Sequence, residues 1–163
     1  MDGTKNLELT KLIVCAGTRH KEGWTTHDVQ PFQGTDIVCD FWELPEWVAP
    51  ASVSEMEFTH ALEHFPMSES QEVLSLLYKL LAPEGQLYIE VPNFYWHAEE
   101  ILINPMNRKI IEYAFGGQLN KWDFHYNGYT PEILVDDLMG VGFELVDIQP
   151  NSSIEVKVVK HED

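Results

Sequence analysis

Residues 11–17 read KLIVCAG, and an aspartate follows at Asp28. A run of strand formers that stops at a glycine, then a second strand-like run ending in an acid, is the arrangement by which α/β folds receive nucleotide-type cofactors. The glycine lets the backbone approach the ligand, and the acid takes ribose hydroxyls. Taken alone, the pattern also fits a plain buried strand and turn. The sequence on either side has to decide between them.

Strand one is expected over residues 11–16 and strand two over 24–28, where threonines and an aromatic favour the pleat. Only seven residues, 17–23, separate them. Parallel neighbours joined through a helix generally need about ten to twelve. The crossover helix after strand one should therefore be shortened or missing. Downstream, DIVC at 36–39 is a short buried strand ending at Asp40, the prolines at 45 and 50 leave loop with at most a helical turn, and 55–58 is a fourth strand.

Ser68 and Gln71 stand at capping-box spacing before an apolar pattern at Val73, Leu74, Leu77, Leu80 and Leu81, which predicts a helix ended by Pro83, Glu84 and Gly85. QLYIEV at 86–91 is the clearest strand. Residues 94–115 are helical in pattern with a break at Asn104 and Pro105, and 116–129 is irregular and aromatic. Thr130 serves as N-cap with Pro131 at the first helical position, and that helix runs to Gly140. Strands at 143–149 and 154–159 close the chain as a hairpin. About seven strands with helices between the middle ones make an open α/β sheet.

The 163 residues, 44% of them hydrophobic, suit one domain with a full core. Residues 1–10 are expected to be a flexible leader and 11–163 a single domain. No apolar run approaches the roughly 20 residues of a membrane span, and the polar start does not resemble a signal peptide. A soluble, cytoplasmic protein is expected. Cys15 and Cys39 lie inside apolar runs, as small buried hydrophobes do. Twenty-seven acidic against 10 basic residues give a net charge of −17, which repels phosphate backbones and argues against nucleic acid as the main partner.

Two sets of residues offer chemistry. His60, Glu63 and His64 spell H-x-x-E-H, the inverted zinc-peptidase pattern, in which the histidines share a metal and the glutamate is the base. Here the segment follows a strand and meets Pro66 almost at once, leaving little helix to hold ligands. The alternative has Leu62 and Phe65 facing the core with Glu63 and His64 near the surface or a cofactor, and no metal. The second set is aromatic: Trp96, Trp122, Phe124, Tyr126 and Tyr129 can wall an acceptor pocket, or simply pack a loop onto the sheet. His97, Asp123 or His125 would serve as base there, His125 being favoured because an imidazole titrates near neutral pH.

KLIVCAG, the short GTRHKEGW connection, Asp28, DIVCD, EMEFTHALEHF, APEG, QLYIEVPNF, GVGFELVDI and FGGQ followed by His125 occur in that relative spacing along nearly the whole chain from Lys11. Together they resemble a small class I S-adenosylmethionine-dependent methyltransferase, of the compact branch with a short loop after strand one and an H-x-L-E-H segment after strand four. The resemblance implies a Rossmann-like, mostly parallel seven-stranded sheet with an antiparallel last strand. It implies S-adenosylmethionine as cofactor, with Ala16 and Gly17 beside its methionine part, Asp28 on the ribose, Asp40 and Phe41 beside the adenine, and His60 and Ala61 along its other side.

The expected reaction is methyl transfer to a small-molecule or saccharide-like acceptor. The DPPY or NPPY tetrapeptide of amino-methylating nucleic-acid enzymes is absent, with THALEH in its place. Cys15 departs from the family's pattern at the first position of the usual G-x-G. A module that binds the cofactor without turning over is therefore the alternative function. A nicotinamide-dependent reductase is disfavoured, because its G-x-G-x-x-G turn opening a full helix is not in the sequence.

Overall fold

A computed structural model describes residue 7 and residues 9–161. Among them a seven-stranded sheet runs in the order β3-β2-β1-β4-β5-β7-β6. Its strands are β1 (Lys11–Ile13), β2 (Thr25–Asp28), β3 (Ile37–Val38), β4 (Val53–Thr59), β5 (Leu81–Pro92), β6 (Phe143–Pro150) and β7 (Ser153–Lys160). The first five pair in parallel, and β7 lies antiparallel between β5 and β6. The expected mostly parallel sheet with an antiparallel last strand is the one observed.

β1 is shorter than its apolar run. Cys15 takes a left-handed backbone, φ 52°, which ends the extended ladder one residue after Val14. No helix occupies residues 14–24, as the short connection requires. Arg19 stands in for it: its Nε donates to the Ala16 carbonyl, and its Nη2 to those of Cys15 and Thr59, each at 3.2 Å. One side chain thus ties the turn after β1 to the end of β4.

Helix α1 (Ser70–Leu80) buries Val73, Leu74, Leu77 and Leu80, and α4 (Pro131–Val141) buries Leu134 and Leu138. Between them in sequence stand α2 (Phe94–Ile103) and α3 (Arg108–Phe115), parted where the Asn104 and Pro105 break predicts. The α4 cap forms as read, with the Thr130 hydroxyl accepting the Ile133 amide at 3.4 Å. The Ser68 and Gln71 capping box does not form. A short 3-10 turn, Met67–Glu69, leads into α1 instead, and Gln71 donates to Asp137 of α4 at 2.9 Å. Leu81 belongs to β5 rather than to the helix, because its backbone pairs with Val53.

The core is continuous from Leu12 and Val14 through Phe58, Leu87, Ile89 and Val91 to Val156 and Val158. Of the expected flexible leader, Leu7 bridges to Val48 and, with Leu9, packs against this core. The remainder of that leader, apart from Thr10, lies outside the described residues. No helix among the described residues is long and apolar enough to cross a membrane.

Candidate functional site

The sheet order reverses between β1 and β4, and in open α/β sheets the crevice beyond the carboxyl ends of the strands at that point is where ligands bind. A cavity of about 450 Å³ opens there, within the range of small-molecule sites. Its walls include Cys15 and Gly17 after β1, Asp28 at the end of β2, Asp40 and Phe41 after β3, and His60 and Ala61 after β4. Six of the seven residues expected to touch a cofactor therefore line one space. Ala16, the seventh, is buried behind the turn, where its amide donates to the His27 carbonyl at 2.8 Å.

Asp28 is 7% exposed. Its Oδ2 accepts the Gly17 amide and its Oδ1 the Gln30 amide, each at 2.8 Å. A carboxylate offers about four acceptor sites, so two remain for hydroxyl donors. Gly17 has φ +58°, and a Cβ placed on it would meet no protein atom within 4 Å. The turn is thus open on the cavity side, and the glycine answers a backbone demand. Asp40 caps the 3-10 turn Phe41–Glu46, its Oδ1 accepting the Trp42 amide while Glu43 reaches back to the Asp40 amide. Phe41 is fixed edge-on to Phe65 at 4.9 Å and packs against Phe58.

Cys15 is half-buried, and desolvation by its surroundings together with the neighbouring Asp28 charge raises its thiol pKa far above the ordinary range. It is a neutral group, not a nucleophile. His27 beneath it is also neutral: burial lowers its pKa, its Nε2 donates to the Cys39 carbonyl at 3.2 Å, and its Nδ1 accepts the Cys15 amide at 3.4 Å.

The far wall comes from the aromatic loop. Asn120, Lys121, Trp122, Asp123 and Tyr126 line the cavity. Of the aromatics expected at an acceptor pocket, Trp122 and Tyr126 reach it, whereas Trp96 and Phe124 do not. Tyr129 is 1% exposed and spends its hydroxyl on Ser70 and Asn127. The glycines of FGGQ have a local purpose. A Cβ on Gly116 would collide with the Asp123 carbonyl, and that closeness lets Asp123 accept the Gln118 and Leu119 amides and fold the loop back.

His125 is not among the residues lining the cavity. Its Nδ1 is 2.9 Å from the Tyr113 carbonyl, its Nε2 faces Glu63 at 4.0 Å, and its ring stands edge-on to His64 at 4.7 Å. Burial lowers its pKa, partly opposed by Glu63. Of the two positions expected for Glu63, near the surface or near a cofactor, the surface one is excluded: it is 2% exposed, stands beside the cavity-lining His60, and neither carboxylate oxygen has a hydrogen-bond partner among the described residues. His60 lies between Glu63, at 3.6 Å, and Glu90, at 3.1 Å, and these carboxylates raise its pKa, the Glu63 contact most. Leu62–His64 is one 3-10 turn, so the two-turn helix that a zinc-peptidase motif needs is missing.

Trp42, Val29, Gln30 and Phe32 line the cavity without having been singled out in the sequence. Trp42, 42% exposed and next to the Asp40 and Phe41 pair, is the one a sequence signal could have found.

No protein-family model matches the sequence, and no curated protein sequence is significantly similar to it. Solved structures do match. A SAM-dependent methyltransferase from Archaeoglobus fulgidus superposes with a TM-score of 0.64 at 15% identity, over 93% of this chain and 86% of that one. One from Methanosarcina mazei gives 0.62 at 13% identity, over 100% and 95%. The 1,6-didemethyltoxoflavin-N1-methyltransferase of Burkholderia thailandensis, solved with S-adenosylhomocysteine, gives 0.56 at 14% identity, over 94% and 72%. The chain has the Rossmann-like fold of S-adenosylmethionine-dependent methyltransferases, of small size and without the helix after β1.

Proposed function

We propose that this protein is an S-adenosylmethionine-dependent methyltransferase acting on a small-molecule or saccharide-like acceptor. The observation that carries this reading is the Asp28 carboxylate, at the end of β2 on the wall of the cavity, locked to the Gly17 amide of the turn after β1 with acceptor capacity left over. In this reading Asp28 receives the ribose hydroxyls, Gly17 and the Ala16 backbone border the methionine part, Asp40 and Phe41 border the adenine, and His60 and Ala61 close the opposite side. Asp28, Asp40 and Asp123 around the cavity suit a cationic ligand.

The cofactor supplies a methyl group on a cationic sulfonium. When bound, it would deliver that methyl to an acceptor lone pair held in line with the sulfur, and the acceptor's proton would pass to a base or to solvent. The protein's share is therefore placement. Trp122 and Tyr126 offer flat faces for a ring or sugar beside Asp123. His125, the base expected from the sequence, stands behind His64 rather than on the cavity wall, so any part it plays in proton transfer runs through that neighbour.

Calorimetric titration with S-adenosylhomocysteine, with NAD as a control, tests the reading. Saturable one-to-one binding of the first alone supports it, and binding of NAD instead would replace it with a dehydrogenase-type site.

A further inference from the structure

We propose that Glu63, His64 and His125 form a binding site for a divalent first-row transition-metal ion next to the cofactor cavity. One ligand atom from each lies within 4.8 Å of the other two. A zinc ion takes histidine nitrogen and carboxylate oxygen at about 2.0–2.2 Å, which puts two ligands of one ion about 3–4 Å apart. Side-chain rotation of about 1 Å closes the set.

Two further observations point to an ion. Glu63 is 2% exposed with both carboxylate oxygens lacking a hydrogen-bond partner among the described residues, and a buried carboxylate is strongly disfavoured unless it is paired or bound to a cation. It faces imidazoles rather than amides: His60 Nδ1 at 3.6 Å and His125 Nε2 at 4.0 Å from the same oxygen. Both remaining ligands are also held by their rear nitrogens. His64 Nδ1 is 3.0 Å from the Phe124 carbonyl and His125 Nδ1 is 2.9 Å from the Tyr113 carbonyl. A carbonyl only accepts, so each Nδ1 carries the proton and each Nε2 keeps a free lone pair. This is how metal-bound histidines are oriented, by a backbone acceptor behind the ring.

Two histidines and one carboxylate leave positions open for other ligands, and the set suits zinc, iron(II), cobalt(II) or manganese(II) better than calcium. His64 also lines the cavity, so the ion would adjoin it and polarise an acceptor hydroxyl. That consequence rests on the proposed methyl transfer; the metal site itself does not.

The test is a titration of chelator-treated protein with cobalt(II), followed by calorimetry and by visible ligand-field absorption, with zinc as competitor. One equivalent is expected to bind. Loss of an outer-shell partner costs a site about 10–100-fold, so Glu63→Gln and His125→Ala should each weaken binding by at least about a hundredfold. His161→Ala, which removes an exposed histidine between Glu84 and Glu144, should change nothing. Absence of saturable binding, binding that survives both Glu63→Gln and His125→Ala, or binding lost in His161→Ala would overturn the assignment. Circular dichroism checks that the variants fold, and if Glu63→Gln does not, His125→Ala and His64→Ala decide the question. Titrating the same samples with S-adenosylhomocysteine reports on the cofactor reading separately.

Discussion

The Asp28 carboxylate accepts the Gly17 amide at 2.8 Å, joining the end of β2 to the turn that follows β1. With the Gln30 amide on its other oxygen, Asp28 fixes the backbone of both loops at the mouth of the cavity. The residue proposed to hold the cofactor therefore also builds the mouth of the cavity.

Replacing Asp28 with alanine removes the acceptor of two amides and, in the proposed function, that of the ribose hydroxyls. Binding of S-adenosylhomocysteine should weaken by about 1.5–3 kcal/mol, roughly ten- to a hundredfold. Calorimetry on the folded variant reads this directly, and unchanged affinity would take Asp28 out of the site.

Gly17→Val should abolish binding. The valine would be forced to φ +58°, a conformation a β-branched residue avoids, and its side chain would project into open space at the turn. Normal binding by this variant would refute the placement of the β1 turn in the cofactor site.

Cys15 holds a left-handed backbone that costs a residue with a Cβ about 1–2 kcal/mol. Cys15→Gly should recover part of this, offset by the greater freedom of glycine in the unfolded chain, for a net gain of about 0.5–1 kcal/mol in denaturant unfolding. Cofactor binding should rise with it. A large rise would identify the natural turn as a weakened site, and a loss of stability would show that the thiol's packing outweighs the strain.

His27 is fully buried and neutral, and its pKa lies below the ordinary histidine value because burial penalises the cation. The unfolded chain takes up this proton first. The contribution of His27 is therefore complete above about pH 6.5 and is lost as pH falls from there through the folded-state pKa. Stability measured against pH should decline over that window more steeply in the wild type than in His27→Gln. Equal slopes would show that another group carries the decline.

Tyr129→Phe keeps the ring but leaves the Ser70 hydroxyl and the Asn127 amide without their shared partner, held at 2.8 and 2.7 Å. A loss of about 1–2 kcal/mol is expected, read as a lower denaturation midpoint. Neither Tyr129 nor its partners Ser70 and Asn127 line the cavity, so S-adenosylhomocysteine affinity should be unchanged.

Much of this was legible because the signals were local and redundant. QLYIEV had to be a strand, the pair Thr130 and Pro131 had to open a helix, and seven residues after the first strand could not hold a crossover helix. The place of Asp28 at the end of a strand could be read from the local pattern alone. That of Glu63 could not. Nothing in HALEHF announces that a carboxylate will be buried, since burial of that group depends on what the loop at 116–129 brings up to it from sixty residues away. The failed capping box at Ser68 has the same origin: Gln71 has a partner in Asp137, which the local sequence does not show. Cys15 marked the unusual turn correctly, but its left-handed backbone became visible only in the fold.

The central claim is best tested by calorimetric titration of the folded protein with S-adenosylhomocysteine, wild type beside Asp28→Ala. Saturable one-to-one binding in the micromolar range that is lost in the variant is the predicted result. Absence of binding by the folded wild type, or equal binding by both proteins, would contradict it.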